Sequence, residues 1–375
     1  MKKLTLLFTM LLIVSMVAVG CGNAAGSAEA ETETAGGGTG ISTEGDIVGD
    51  VTGEVTGGEL KTGLGIITTI SSSKDATEKE EGTAQADMTI AAVTVDAEGK
   101  IVACKIDVAQ TQIYFGASGT IFSELEEEHP TKQELGDDYG MKTASSIGKE
   151  WNEQANAFAE YCVGKTADEV KGIAVTAEGI AADTDLVASC TIHINGLQNA
   201  VAKAVNNAMP EGAAANGLTA AGAAVGDLLG LGVTTNIAKS VDATADEAGL
   251  AQAYTTISVV TVNGEGKITS AIIDAVQANI NFDVVGKITS DLAAEVPSKD
   301  ELGEYYGMKS ASSIGKEWNE QAAAYAAYAV GKTVDEVNGT AVTEGVPSDA
   351  DLAASVTIHI TDFNKVLTKA VESAK

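Results

Sequence analysis

The stretch Ile90-Ala91-Ala92-Val93-Thr94-Val95, followed by Asp96-Ala97-Glu98-Gly99 and by the run 101–108, indicates how this chain folds. The first run is apolar and rich in β-branched residues, which is typical of a strand. The second predicts a turn, because the glycine at its end tolerates a positive φ. Apolar residues then alternate and would share the buried face of a second strand: Val102, Cys104, Ile106 and Val108. The stretch therefore predicts a β-hairpin.

The hairpin belongs to a long internal repeat. Gly99-Lys100-Ile101 returns 167 residues later as Gly266-Lys267-Ile268, and Gly63-Leu64-Gly65-Ile66 returns at the same offset as Gly230-Leu231-Gly232-Val233. The offset falls to 166 near Glu178, where the first unit has one extra residue. A repeat of about 145 residues has the size of a domain and is too long for a solenoid unit. We therefore predict two tandem copies of one domain.

The repeat and the composition divide the chain into five segments. Residues 1–20 are predicted to be a signal peptide, and 21–61, rich in Gly, Ala, Thr, Ser and Glu, a flexible tether. Copy 1 is predicted over 62–207, and copy 2 over 229–375. The Gly/Ala-rich segment 208–228 is interpreted as the linker between them.

The N-terminus has the pattern of a secretory signal. Lys2 and Lys3 precede the apolar run Leu4 to Val19, which is short for a membrane span. Ala18-Val19-Gly20-Cys21 resembles a bacterial lipobox, in which the cysteine thiol receives a diacylglycerol and becomes the mature N-terminus. The resemblance implies lipidation at Cys21 and attachment to the outer face of the bacterial cell membrane. The alternative is an ordinary cleaved signal followed by a chance cysteine.

Each copy is also predicted to contain helices. The first helix has an apolar stripe and ends at a glycine: Trp151, Ala155, Phe158, Cys162 and then Gly164. Thr166-Ala167-Asp168-Glu169 has the spacing of a capping box and predicts a short helix. A last strand, over Cys190–Ile194 in copy 1 and Val356–Ile360 in copy 2, is followed by a terminal helix. This order predicts an α+β fold in which each copy is an antiparallel sheet with helices packed on one face.

The charge of the chain limits its partners. The formal net charge is −30, and all 23 basic residues are lysines. Such a field repels nucleic acid. Without arginine there is no bidentate fork for phosphate or carboxylate, so an anion site must use lysine, hydroxyls and backbone N–H groups.

The cysteines and histidines favour structural roles. Three cysteines align with small apolar residues of copy 2 and are predicted to be core: Cys104, Cys162 and Cys190. No Cys-x-x-Cys spacing is present, which argues against zinc binding and disulfide exchange. His193 and His359 occupy equivalent positions, which we interpret as the exposed face of a strand.

The stretch most similar between the copies is Glu134–Gln154 against Glu301–Gln321, which differs at only three positions. Ser145-Ser146 is placed where a helix N-cap is expected, and Lys142 would add positive charge, which together predict an anion site. The copy 2 equivalents are Lys309, Ser312 and Ser313. The other interpretation is a well-capped helix that buries a tryptophan.

The last part of each copy carries a resemblance. Asp351-Leu352-Ala353-Ala354-Ser355-Val356-Thr357, followed by a helix, resembles the end of FMN-binding-type domains of bacterial surface lipoproteins. There an aspartate precedes a Ser-Gly-Ala-Thr run at the same spacing, and the threonine can carry FMN through a phosphoester. The resemblance implies FMN as cofactor and Thr357 as its attachment residue, with Asp185 and Thr191 as the copy 1 equivalents. Ala-Ser-Val replaces Ser-Gly-Ala here, so covalent and non-covalent binding both stay open.

Three functions follow as hypotheses. The first is a lipid-anchored protein with two flavin domains, a non-enzymatic electron carrier for a membrane redox partner. Its phosphate site would be the Lys142, Ser145 and Ser146 cluster, and the candidate stacking residues of copy 1 are Tyr114, Tyr139 and Trp151. The second is a surface lipoprotein that binds a small carboxylate or phosphate ligand without redox chemistry. The third is a structural or adhesive surface protein.

Overall fold

The computed structural model describes residues 58–209 and 217–375. The predicted signal peptide, the lipidation residue Cys21 and almost all of the tether lie outside the described residues. Within the two described ranges, no helix combines the length and the apolar character that a membrane span requires.

The two copies have the same order of main elements. Copy 1 contains β1 (Leu60–Thr69), β2 (Gly82–Val95), β3 (Ile101–Phe115), α1 (Lys132–Leu135), α2 (Trp151–Cys162), α3 (Ala167–Lys171), α4 (Thr184–Val187) and α5 (Asn195–Ala208). A short strand, β4 (Thr219–Ala223), lies within the segment interpreted as a linker. Copy 2 contains β5 (Leu228–Asn236), β6 (Gly249–Val262), β7 (Ile268–Phe282), α6 (Lys299–Leu302), α7 (Trp318–Ala329), α8 (Val334–Asn338), β8 (Val342–Thr343), β9 (Val346–Pro347), α9 (Ala350–Ala353) and α10 (Thr361–Ser373).

Each copy is an antiparallel sheet with helices on one face, as the sequence predicted. The strand order is β3-β2-β1-β4 in the first sheet and β5-β6-β7 in the second. Helix α5 packs on β1 and β2 and α2 packs on β3, while α10 packs on β5 and β6 and α7 packs on β7. The α+β fold class is therefore confirmed.

The faces of the sheets that the helices leave open pack against each other. One buried cluster contains residues of both sheets, among them Leu64, Ile90, Val233 and Ile257. Two further clusters join each sheet to its own helices. Residues 58–209 and 217–375 thus form layers in the order helix, sheet, sheet, helix. The core between the two sheets is shared by the copies.

Contacts between the copies are reciprocal. The backbone N–H of Ile288 donates to Asp75 Oδ1 at 2.7 Å, and that of Ile121 donates to Asp242 Oδ1 at 2.8 Å. Each residue of the first pair has its repeat equivalent in the second, with the roles of the copies exchanged. Such exchange is the signature of an approximate two-fold axis.

Several local predictions are confirmed. Gly99 has φ 75° in the turn between β2 and β3. Thr166 and Glu169 form a reciprocal capping box at the start of α3. The predicted stripe of α2 is buried, and so are Cys162 and Cys190, whereas Cys104 is half-buried on the edge strand β3.

The strand predicted at the end of each copy is wrong. Residues 190–194 and 356–360 form loops that lead into α5 and α10, and only an isolated bridge joins Ile180 and His193. The backbone N–H of Thr191 donates to the side chain of Gln154, at 2.8 Å, where a strand would pair with backbone. Apolar and polar residues alternate in the sequence here as they do in a strand, but burial does not alternate: Cys190 and Ile194 are buried, and His193 is exposed. Both histidines are exposed as expected, although neither lies on a strand.

Candidate functional site

The loop before α2 is held by a carboxylate of the protein itself. Glu150 is the N-cap of α2 and its side chain accepts from the backbone N–H groups of Met141 and Lys142, both at 2.8 Å. Its own N–H donates to Glu153 at 2.7 Å. The prediction that Ser145-Ser146 caps this helix is therefore wrong, because the chain becomes helical only after Glu150.

Copy 2 repeats the arrangement. Glu317 is the N-cap of α7, and its carboxylate accepts from Met308 N–H at 2.8 Å and Lys309 N–H at 3.0 Å. The acidic identities in the repeated stretch thus have a structural reason. Two backbone donors that could meet an external anion already meet a carboxylate in each copy.

A glutamine joins the repeated loop to the threonine of the flavin resemblance. In copy 2, Gln321 Oε1 accepts from Thr357 N–H at 2.8 Å and from the Thr357 hydroxyl at 3.2 Å. Its Nε2 donates to Ser312 Oγ at 3.2 Å and to the backbone carbonyl of Lys316 at 3.3 Å. Gln154 makes the same four bonds in copy 1, to Ser145, Lys149 and Thr191.

The structure therefore brings together only part of each predicted site. Ser145 meets Thr191 through Gln154, and Ser312 meets Thr357 through Gln321. The other predicted residues lie exposed on the loop: Lys142, Ser146, Lys309 and Ser313. Lys309 Nζ lies 3.8 Å from the Glu304 carboxylate, which competes with an external anion for its charge.

Copy 2 also contains a cavity that the sequence did not predict. It has a volume of about 540 Å³, within the usual range for small-molecule sites. Its wall includes four aromatic rings from β6, the 3₁₀ turn Gly303–Tyr306, α7 and α10: Tyr254, Tyr306, Trp318 and Phe363. Ile358 and His359, which directly follow Thr357, line it as well.

Lys299 lies among three of these rings. It is the first residue of α6, after the N-cap Ser298, and is only 4% exposed. Nζ lies 4.6 Å from the ring centroids of Tyr254 and Tyr306 and 4.7 Å from that of Trp318. It donates a hydrogen bond to the Tyr254 hydroxyl at 2.9 Å. Burial lowers the pKa of Lys299 to about 8, although the Asp274 carboxyl acts in the opposite direction.

Asp274 supplies a second buried ionisable group. Its Oδ1 accepts from Ala275 N–H at 2.7 Å and Asp300 N–H at 3.0 Å, while Oδ2 has no partner among the described residues. Burial raises the pKa of Asp274 to about 7, although the hydrogen bonds from the N–H groups of Asp300 and Ala275 act in the opposite direction. Strongly shifted pKa values cluster at functional sites, although Asp107 in copy 1, which accepts from backbone N–H groups in the same way, also has a raised pKa.

Copy 1 has a different set of residues at the equivalent place. Lys132 Nζ lies 4.9 Å from the Tyr139 centroid and 5.5 Å from that of Trp151, and Lys132 is only half-buried. Asp87 occupies the register position of Tyr254: it pairs with Thr69 and Gln110, as Tyr254 pairs with Asn236 and Gln277. Leu197 stands where copy 2 has Phe363.

The sequence carried two signals for this cavity. One is the lysine shared by the copies, Lys132 and Lys299, and the other is the unlike pair Asp87 and Tyr254. The cavity was missed because its residues come from elements that are distant in the chain. Trp318 and Tyr306, by contrast, are the equivalents of two predicted stacking residues.

Comparison with known proteins gives one partial match. Over 124 residues the chain is 32% identical to chlorophenol reductase of Desulfitobacterium hafniense, a match that covers 30% of this chain and 37% of that protein. The matched region spans little more than a third of the relative's length. No family model matches the chain, and no solved structure matches it.

Proposed function

We propose that this chain is an exported lipoprotein, anchored through Cys21, that carries FMN and exchanges electrons with a membrane redox partner. The observation that carries the proposal is the aromatic cavity of copy 2, next to the threonine that the flavin resemblance marks. Aromatic walls suit a planar conjugated ring, which stacks on or abuts them with little loss of entropy.

The residues around the cavity fit a flavin. The half-buried Tyr254 and Tyr306 would contact the ring, supported by the buried Trp318, and Lys299 would face a polar edge of it. FMN, when bound, supplies hydride and single-electron chemistry, while the protein binds the group, orients it and tunes its electronics. The exposed Lys309 and Ser313, with Ser312 beside them, are proposed to meet the phosphate in copy 2.

Covalent attachment has a defined structural requirement. The Thr357 hydroxyl donates to Gln321, and that of Thr191 donates to Gln154. A phosphoester at either threonine would remove the hydroxyl proton and this hydrogen bond. The threonine would keep its position through the second bond, from its backbone N–H to the same glutamine.

The partial relative supports a redox role. It is a reductase by name, and redox chemistry in this chain would be in keeping with that. The limited coverage restricts this support to redox chemistry in general and gives no substrate for this chain.

The test is to express the mature chain with a flavin-attaching enzyme and to record its visible spectrum and intact mass. We expect flavin absorbance, together with a mass increase of one FMN phosphoester if attachment is covalent. Thr357→Ala would remove that increase, and Thr191→Ala is the matched control in copy 1. A colourless chain at apoprotein mass, whose spectrum does not change when FMN is added, would contradict the proposal.

A second candidate is a lipoprotein that binds a small anionic ligand without redox chemistry. Lys299 favours it, because a buried ammonium group in a cavity attracts a carboxylate or phosphate. Titration of the flavin-free chain with aromatic carboxylates, followed by tryptophan fluorescence, separates the two: saturable binding without affinity for FMN would favour this candidate.

A further inference from the structure

We infer that the chain holds one ligand, in the cavity of copy 2, and that Lys299 and Tyr254 together bind an oxygen on the edge of that planar ligand, an anionic oxygen in preference to a neutral one. The inference rests on the proposed function for the place of the ligand. It adds the number of sites, the residues that recognise the ligand and the charge of the recognised group.

Lys299 and Tyr254 have more hydrogen-bond donors than acceptors around them. An ammonium group has three N–H donors, and Lys299 Nζ has one acceptor among the described residues, the Tyr254 hydroxyl. The Tyr254 hydroxyl accepts that bond, and its own proton has no acceptor in the described part of the chain. Lys299 is buried and Tyr254 is half-buried at the cavity, so a ligand oxygen that meets both groups would supply the hydrogen-bond acceptor that the protein does not.

The charges around the cavity differ from those of the chain as a whole. Lys299 is buried and Lys239 is exposed at the same cavity, which Asp362 also lines. The chain has a net charge of −30, so most of its surface repels anions. Two lysines at one aromatic cavity are therefore a local exception, and they favour a ligand that carries negative charge at its edge.

Copy 1 differs at the position that recognises the ligand. Asp87 takes the place of Tyr254, and both of its carboxylate oxygens accept from Gln85 Nε2, at 3.0 and 2.8 Å. Gln85 accepts in turn from Gln112, and Gln112 from Tyr114, both at 2.7 Å. A carboxylate that replaces a hydroxyl donor repels an anionic oxygen, so the copy 1 position excludes the ligand that copy 2 accepts.

The first experiment measures stoichiometry with FMN by equilibrium dialysis of the full mature chain. We expect one FMN per chain. Lys299→Met should weaken binding about 10- to 100-fold, and Tyr254→Phe, which keeps the ring, about 3- to 10-fold. Lys132→Met in copy 1 should leave affinity unchanged. Far-UV circular dichroism confirms that each variant is folded.

The second experiment uses 4-nitrophenol, a planar probe whose colour reports its ionisation. If Lys299 binds an anionic oxygen, the bound probe ionises at a lower pH than the free probe. We expect this shift in the wild type and in Lys132→Met, and its loss in Lys299→Met.

The outcomes separate the two proposals. Two FMN per chain, or one that is lost in Lys132→Met, would overturn the inference and leave the flavin function intact. No FMN binding would remove the flavin function, and the nitrophenol shift would then decide the inference alone. A probe that binds without an ionisation shift, or whose shift survives Lys299→Met, would overturn it.

Discussion

Phe115 and Phe282 stack with their ring centroids 4.3 Å apart and their planes at 14°. They are repeat equivalents, 167 residues apart, and neither ring is exposed to solvent. Each ring also covers a glycine: a Cβ on Gly82 would lie 2.5 Å from the Phe115 ring, and one on Gly249 would lie 2.5 Å from that of Phe282. The contact therefore joins the edge strands β3 and β7 across the shared core.

Because the copies share this core, we expect them to unfold together. Phe282→Ala should lower the free energy of unfolding by about 3–5 kcal/mol, the usual cost of removing a buried phenylalanine ring. Phe282→Leu, the control, keeps most of the apolar volume and should cost less. Denaturant unfolding followed by circular dichroism should give one transition in both variants. Two separate transitions in the wild type would contradict a shared core.

The sequence predicted each copy better than it predicted their packing. Strand β2 contains the continuous run Ile90–Val93, in which every residue is buried, and such a run indicates a strand covered on both faces. It does not identify what covers the second face. The period of the apolar residues predicted helix α5, which covers one face of the sheet. The other face is covered by the sheet of the second copy, and no sequence pattern distinguishes that contact.

The repeated Gly-x-Gly pairs of β1 and β5 should be intolerant of any side chain. A Cβ on Gly65 would lie 2.2 Å from the carbonyl oxygen of Ala200, and one on Gly232 would lie 2.3 Å from that of Val366. Gly65→Ala must push α5 away from the sheet, so we expect it to cost at least about 3 kcal/mol, at the upper end for overpacked cores. Gly264→Ala is the control, since nothing lies within 4 Å of the position that its Cβ would take. Urea denaturation compares the two, and equal midpoints would contradict the close helix–sheet approach.

The candidate site was predicted in part, for physical reasons that can be named. The repeated polar residues drew attention to the correct loop, but repetition does not separate ligand binding from internal capping. Glu150 shows the difference, because its carboxylate occupies the backbone donors that an external anion was predicted to meet. The link from Ser145 to Thr191 depends on one long-range contact of Gln154, which no local pattern encodes.

The Gln321 side chain should control the order of the loop around Thr357. Gln321→Ala leaves the N–H of Thr357 and the Ser312 hydroxyl without this partner, and we expect a cost of about 1–3 kcal/mol. Limited proteolysis should then cut the loop 355–360 faster than in the wild type. Gln154→Ala is the matched variant and should do the same at Thr191. Unchanged proteolysis in both variants would show that the bonds do not hold these loops.

Buried ionisable groups should make stability depend on pH around neutrality. The pKa of Asp274 is raised to about 7, so the folded state holds this proton more tightly than the unfolded state does. The stability that Asp274 contributes is fully present below the pKa that it has in the unfolded chain. It is lost as the pH rises from there to about 7. The pKa of Lys299 is lowered to about 8, so its cost is present at neutral pH and disappears as pH rises from about 8 to its ordinary value near 10.5. Both costs are present between about pH 7 and 8, so these two groups should give the free energy of unfolding a minimum in that range.

Asp274→Asn tests the acidic side of this minimum. An asparagine keeps an oxygen for the N–H groups of Ala275 and Asp300 and carries no charge, so the variant should be more stable than the wild type at about pH 8 and similar to it at about pH 4. Thermal unfolding at both values measures the difference. Asp107→Asn is the matched change in copy 1; because the pKa of Asp107 is raised only to about 6, its gain at the higher pH should be smaller. If Asp274→Asn loses as much stability at the higher pH as at the lower one, the ionised Asp274 side chain does not destabilise the folded state.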